Sequence, residues 1–214
     1  MAFPGFTERD YEIFDIPDFQ GRIAPLRAEL LPKLKLLGDD LAPLLSDAVG
    51  HPLYPRAAQH MRRRVNPPPE TWVAFARDKR GYKRWAHFRV AVSGEGVRLT
   101  LFVEDDADDK PEFALNISRN PKALLTAIGP DAPLRWYTFG SNGGLAHGDL
   151  SQTKLRDRAR DLRRVKQRKF QAGVQIAQRG ETVPSPEELQ ERIMQALPTL
   201  LPLYRCAAPE AVRL

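Results

Sequence analysis

Residues 87–103 read HFRVAVSGEGVRLTLFV, and their reading decides the fold. In an extended chain Phe88, Val90 and Val92 share one face, while His87 and Arg89 share the other. Ser93-Gly94-Glu95-Gly96 supplies turn chemistry, after which VRLTLFV alternates back over 97–103. The pattern predicts an antiparallel β-hairpin with an apolar face that another element must cover.

Working outward, WVAFA at 72–76, RWYTF at 135–139 and the stretch 167–177 are further strand candidates. Thr7 with Asp10 three residues on predicts a short capped helix that Pro17 ends. Leucines at three- and four-residue spacing predict helix over 18–37, kinked or split at Pro25 and Pro32. Gly38 reads as its stop, with a second helix opening at Asp39 or Asp40 and running to Val49. Further helices are expected over 111–128, interrupted near Pro121, and over 151–165. SPEE at 185–188 is a capping box with proline at the first helical position. It opens a helix whose stripe of Leu189, Ile193 and Leu197 is the best cover for the sheet, with Pro198 and Pro202 expected to bend or divide it. Hairpin-joined strands with helices before, between and after them indicate an α+β fold with a mainly antiparallel sheet. A single domain over 1–214 is expected, because no stretch reads as a linker.

Composition narrows the function classes. Hydrophobic residues at 42% and charged residues at 28% are ordinary for a folded protein, which argues against a disordered chain. One cysteine rules out an internal disulfide and a four-thiolate metal site. The chain has no apolar run of about 18 residues, so no membrane span is expected. MAFPGFTERDYEIF lacks the basic start and apolar run of a secretion signal, so a cytoplasmic location is expected.

Charge is unevenly distributed. Residues 56–89 carry ten basic and two acidic groups, and residues 154–169 carry nine basic and two acidic ones. The remainder is acidic, with a net charge of −9 against +6 for the whole chain. Such asymmetry favours an anionic partner, unless the basic segments face the acidic remainder of the same protein. In the first segment a hairpin gathers Arg62, Arg63, Lys79, Arg80, Lys83, Trp72, Tyr82 and Trp85. Guanidinium forks suit phosphate oxygens and aromatic faces suit bases. Tyr82, following Gly81 in a turn, is expected to be exposed, and Trp72 to be a core residue. In the second segment Arg156, Arg160, Arg163 and Arg164 fall within about 100° of one helical face. Leu155, Ala159 and Leu162 form a separate apolar stripe on the same helix.

Catalytic signatures are missing. His51, His60, His87 and His147 do not stand at metal-motif spacing, and neither HExxH nor CxxC occurs. GSNGGLAHG at 140–148 lacks the lysine and hydroxyl residue of a phosphate-binding P-loop. No cofactor or metal is expected.

VNPPPETWVAF at 65–75, followed by KRGYK at 79–83 and HF at 87–88, resembles the YktB-like family of bacterial proteins of unknown function. The resemblance also takes in His60, Arg62 and Arg63, FTERDYEIFDI at 6–16, Arg22, PKL at 32–34, Leu37-Gly38 and LYR at 203–205. Ala86 stands where the resemblance leads one to expect proline. It implies a curved antiparallel sheet packed with helices, in the manner of the TATA-binding protein, and no established activity.

Three functions follow as expectations. The first is binding of a polyanion, nucleic acid among the candidates, through residues 56–89. The second is an enzyme or sensor for a small phosphorylated ligand held by Arg62, Arg63, Lys79, Arg80, Tyr82 and His87. The third is docking of an acidic protein partner on the basic surfaces.

Overall fold

A computed structural model describes residues 2–61, 64–137 and 145–207. Among these residues seven strands pair antiparallel, in the order β1-β2-β3-β4-β7-β5-β6. They are β1 (Tyr54–Ala57), β2 (Glu70–Ala76), β3 (His87–Ser93), β4 (Gly96–Val103), β5 (Arg135–Tyr137), β6 (Leu145–Ala146) and β7 (Phe170–Gln178). The hairpin read from the sequence is β3–β4, closed by the two residues between paired Ser93 and Gly96. Gly96 sits at φ +121°, a conformation other residues rarely adopt.

Seven helices accompany the sheet among the described residues: α1 (Glu8–Glu12), α2 (Phe19–Pro25), α3 (Leu31–Val49), α4 (Lys110–Arg119), α5 (Pro121–Ile128), α6 (Gln152–Arg164) and α7 (Pro186–Ala207). The α3 helix lies on β1 and β2, and α7 lies on β4 and β7. Leu189, Ile193 and Leu197 are buried with Val90, Val92, Leu99 and Leu101 in one continuous core, as their periodicity predicts.

One local expectation is met and two are corrected. Pro25 and Pro32 flank a π-helical turn, Leu26–Leu30, that splits the helix into α2 and α3 as their positions predict. Gly38 does not stop a helix but lies inside α3. A Cβ there would come within 2.8 Å of Val73 Cγ2 and 3.0 Å of Pro55 Cβ, so glycine is what lets α3 approach the sheet. Pro198 and Pro202 do not divide α7, which runs on to Ala207. Strand β1 was hidden by Pro52 and Pro55, a proline pattern that an edge strand tolerates.

His87 and Arg89 do occupy the opposite face from Phe88 and Val90, but that face is buried too. Its central rows are built from Ala74, Arg89 and Thr100, opposite one another on β2, β3 and β4.

Candidate functional site

The expected site residues fare differently. Arg62 and Arg63 lie outside the described residues. Lys79, Arg80 and Lys83 are exposed around the turn that follows β2. Asp78 Oδ1 accepts the Arg80 backbone N–H at 2.7 Å and so fixes that turn. Lys79 Nζ lies 4.9 Å from the Tyr54 ring centroid, and Arg56 donates to the Lys79 carbonyl at 2.7 Å.

Other cations of this segment are engaged inside the protein. The Arg77 guanidinium sits 3.6 Å from the Trp85 ring centroid. Arg84 donates from Nε and Nη2 to Asp108 Oδ2, at 3.0 and 2.5 Å. Arg89 is buried, with its guanidinium 3.5 Å from the Phe102 ring centroid and 4.4 Å from that of Trp72. Its Nη2 donates to Glu104 Oε1 at 2.7 Å, and Lys169 Nζ donates to Glu104 Oε2 at 2.6 Å. Glu104 thus joins two basic side chains, one from each basic segment.

His87 is 0% exposed, so it does not face solvent where an external phosphate could reach it. Its Nε2 accepts from Arg89 Nε at 2.8 Å, which leaves Nδ1 to donate to the Trp85 carbonyl at 2.7 Å. Burial and the adjacent Arg89 charge hold its pKa well below the ordinary histidine value, so the ring is neutral. Tyr82 is half-buried with its ring 5.0 Å from that of His87, not a projecting turn residue. Trp72 is half-buried beside Arg89, not in the core beneath the sheet.

The second basic segment is brought together more completely. Leu155, Ala159 and Leu162 bury one stripe of α6, which packs against α4. Arg156, Arg160, Arg163 and Arg164 then line an open cleft of about 470 Å³ together with Ser118 at the end of α4. Arg160 pairs with Asp157 at 2.9 Å, an exposed contact that contributes at most about 1 kcal/mol. Arg156, Arg163 and Arg164 have no ion-pair partner among the described residues. The last two also complement the negative end of the α6 dipole, which supports the helix by itself.

Ser151 caps α6, its Oγ accepting the Lys154 backbone N–H at 3.2 Å. Ser151→Ala is expected to cost about 1 kcal/mol, read as a lower urea midpoint. Lys110 had no sequence signal. Its Nζ donates to the carbonyls of Asp105 and Lys166, at 3.0 and 2.9 Å, tying the acidic loop to the turn after α6.

Among the described residues no cluster of three or more histidine, cysteine or acidic side chains could hold a metal, and no helix is long and apolar enough to cross a membrane. Burial pushes the Cys206 thiol up to about 11, so at neutral pH it is not a thiolate nucleophile.

A family model described as a domain of unknown function, DUF1054, matches residues 6–204. The chain belongs to that family. The UPF0637 protein of Shouchella clausii is 34% identical over 205 residues, which cover 96% of this chain and 95% of that protein. That of Oceanobacillus iheyensis is 32% identical over 206 residues, covering 95% and 96%. That of Listeria welshimeri is 30% identical over 213 residues, covering 97% and 99%. Membership in the DUF1054 family agrees with the YktB-like resemblance and assigns no activity, so function has to be argued from the side chains.

Proposed function

We propose that the protein binds a phosphate-rich polyanion, with nucleic acid the first to test. The observation that supports this reading is the convergence of four α6 arginines on one cleft, three of them without an ion-pair partner among the described residues. Like charges four residues apart disfavour the isolated helix, and an external anion relieves that repulsion. Lys79, Arg80 and Lys83 offer a second exposed contact region. Residues 56–89 carry less of the binding than their composition suggests, because Arg77, Arg84 and Arg89 are engaged within the protein. A small phosphorylated ligand is the competing occupant, since the cleft volume of about 470 Å³ also falls in the range of small-molecule sites.

The test is titration of fluorescent single-stranded RNA, single-stranded DNA and duplex DNA at several salt concentrations. Six phosphate contacts to a single strand give a log–log salt slope of about −4. Replacing Arg156, Arg163 and Arg164 by glutamine is expected to reduce the slope by about 2 and to weaken binding to all sequences alike. No binding at low salt to any of the three would remove the polyanion reading. Binding unchanged by the triple replacement but lost on replacing Lys79, Arg80 and Lys83 would return the site to the first basic segment.

A further inference from the structure

Helix α6 stands between two clefts. Counting about 100° per residue from Arg156, the buried stripe of Leu155, Ala159 and Leu162 centres near 270°. The arginine cleft takes the arc from about −20° at Arg163 to about 80° at Arg164. A second cleft, of about 410 Å³, takes the arc from about 100° at Asp157 to about 240° at Leu162. The turn at 165–169 and strands β5 and β7 complete it, and the two clefts share no lining residue. Their boundary, between Arg164 and Asp157, lies opposite the buried stripe. The exposed half of α6 is therefore a ridge with a furrow along each side.

Both furrows hold uncompensated cations. Arg156, Arg163 and Arg164 line the first without an ion-pair partner among the described residues. Arg158 and Arg168 line the second and likewise have none. Burial, and after it the Arg168 charge, lower the Arg158 pKa against the pull of Asp161, so these two guanidiniums crowd one another. Trp136, Leu162 and Phe170 at the back of the second furrow are buried, so what it offers a ligand is its charged rim. The crest between the furrows carries carboxylates. Asp157 and Asp161 are both exposed there, the first paired with Arg160 across the crest.

The order cation, carboxylate, cation across the helix discriminates among polyanions. A single strand lying along the crest would set its phosphates over Asp157 and Asp161. A strand kept to one furrow would leave the guanidiniums of the other without an anion, and so would a compact phosphorylated ligand. Two phosphate backbones held one helix-width apart reach both furrows at once. An α-helix with its side chains is about 10–12 Å across, and the major groove of B-form DNA is about 12 Å wide. In that groove the crest faces base edges, where the amino groups of cytosine and adenine donate hydrogen bonds that a carboxylate accepts. We propose that α6 enters the major groove of duplex DNA, with one phosphate backbone along each furrow. The inference rests on the polyanion reading and narrows it to one class of polyanion.

The experiment is titration of the full chain, at several salt concentrations, with fluorescent duplex DNA, its separate strands and duplex RNA of the same sequence. Duplex DNA should bind at least tenfold tighter than either strand. It should also bind at least tenfold tighter than duplex RNA, whose major groove is too narrow to admit the helix. A duplex whose cytosines carry glucosylated 5-hydroxymethyl groups has its major groove filled, and should bind at least tenfold more weakly than the plain one. Arg158→Gln combined with Arg168→Gln should lower the duplex log–log salt slope by about 2, at about 0.9 for each lost phosphate contact. Arg168 is exposed, so Arg168→Gln alone should lower the slope by about 1 and keep the parent urea midpoint, which separates lost binding from lost folding. Three results would each overturn the groove inference while leaving the polyanion reading in place. They are single strands bound as tightly as duplex DNA, unchanged affinity for the glucosylated duplex, and a duplex salt slope indifferent to the two replacements. No binding to any of these nucleic acids at low salt would overturn both.

Discussion

Glu104→Gln is expected to lower folding stability by about 3–5 kcal/mol, the cost of breaking a buried ion pair from one side. Arg89 is 3% exposed and Glu104 4% exposed, so neither charge can turn to water when the other is removed. Glutamine keeps the size and one acceptor oxygen but carries no charge. It also sets an amide where Lys169 donates to the carboxylate at 2.6 Å. Burial by itself raises the Glu104 pKa, yet the Arg89 and Lys169 charges outweigh it and hold the net value below that of an ordinary glutamate. A carboxyl with a depressed pKa stabilises the fold at neutral pH and loses that contribution as the pH falls through its folded value. The control is the double variant Arg89→Met with Glu104→Met, which removes both charges and puts apolar volume between Phe102 and Trp72. It should recover most of the lost stability, because replacing a whole buried pair is often neutral. Urea denaturation at pH 7 reads both variants. A cost below about 1 kcal/mol for Glu104→Gln would mean that Arg89 finds compensation elsewhere.

This pair also shows why the two basic segments look more available in sequence than in space. Periodicity placed Arg89 on the polar side of β3, and that is where it lies. Alternation cannot say whether the polar side is wet. Here it is closed over Arg89, and the acidic run at 104–109 supplies partners for Arg84, Arg89 and Lys169. Charge at a distance of tens of residues carries no local signal, so Glu104 and Lys110 were invisible as organising residues. The α6 arginines were legible because a helix fixes angles over a few residues, and the four on one arc do line one cleft. A second cleft, of about 410 Å³ on the other flank of α6, was not legible. It needs Trp136 and Tyr137 from β5 beside Arg158 on α6 and Arg168 from the following turn, and only tertiary packing joins them.

The fold was readable for related reasons. Strand alternation over 87–103 and the leucine stripe of α7 are strong short-range patterns, and burial of both faces each to the other follows. The errors fell on prolines and glycines, whose meaning depends on what lies opposite. Gly38 reads as a helix stop by composition and as a close-packing site once Val73 and Pro55 stand against it. The likeness to the TATA-binding protein rests on the family resemblance alone, whereas the antiparallel α+β arrangement stands on the strand register.

Stability should rise, not fall, as the pH drops from 7.5 to about 4.5 wherever Asp109 dominates the linkage. Both Asp109 oxygens accept the Ala86 backbone N–H, at 3.1 and 2.8 Å. Burial pushes the Asp109 carboxyl up to about 6, with Asp108 adding to the rise, while the Ala86 N–H and the Arg77 charge oppose it. A raised folded pKa means that the native state binds a proton more readily than the unfolded chain. Its contribution is therefore complete below the unfolded value and is lost as the pH rises through the folded one. A rise of about two units corresponds to roughly 2–3 kcal/mol at full burial. Asp109→Asn keeps an acceptor for Ala86 and has no proton to exchange. Its stability relative to the parent should be near parity at pH 4.5 and higher by up to that amount at pH 7.5. Taking the difference between the two proteins cancels the opposite trend from Glu104, which lies below this window. Ala86→Pro tests the same contact from the other side. It deletes the Ala86 N–H that both Asp109 oxygens accept and should destabilise the protein most at high pH, where the carboxylate is charged. Urea midpoints at four pH values decide the matter, and parallel curves for the parent and Asp109→Asn would show that Asp109 titrates as an ordinary carboxylate.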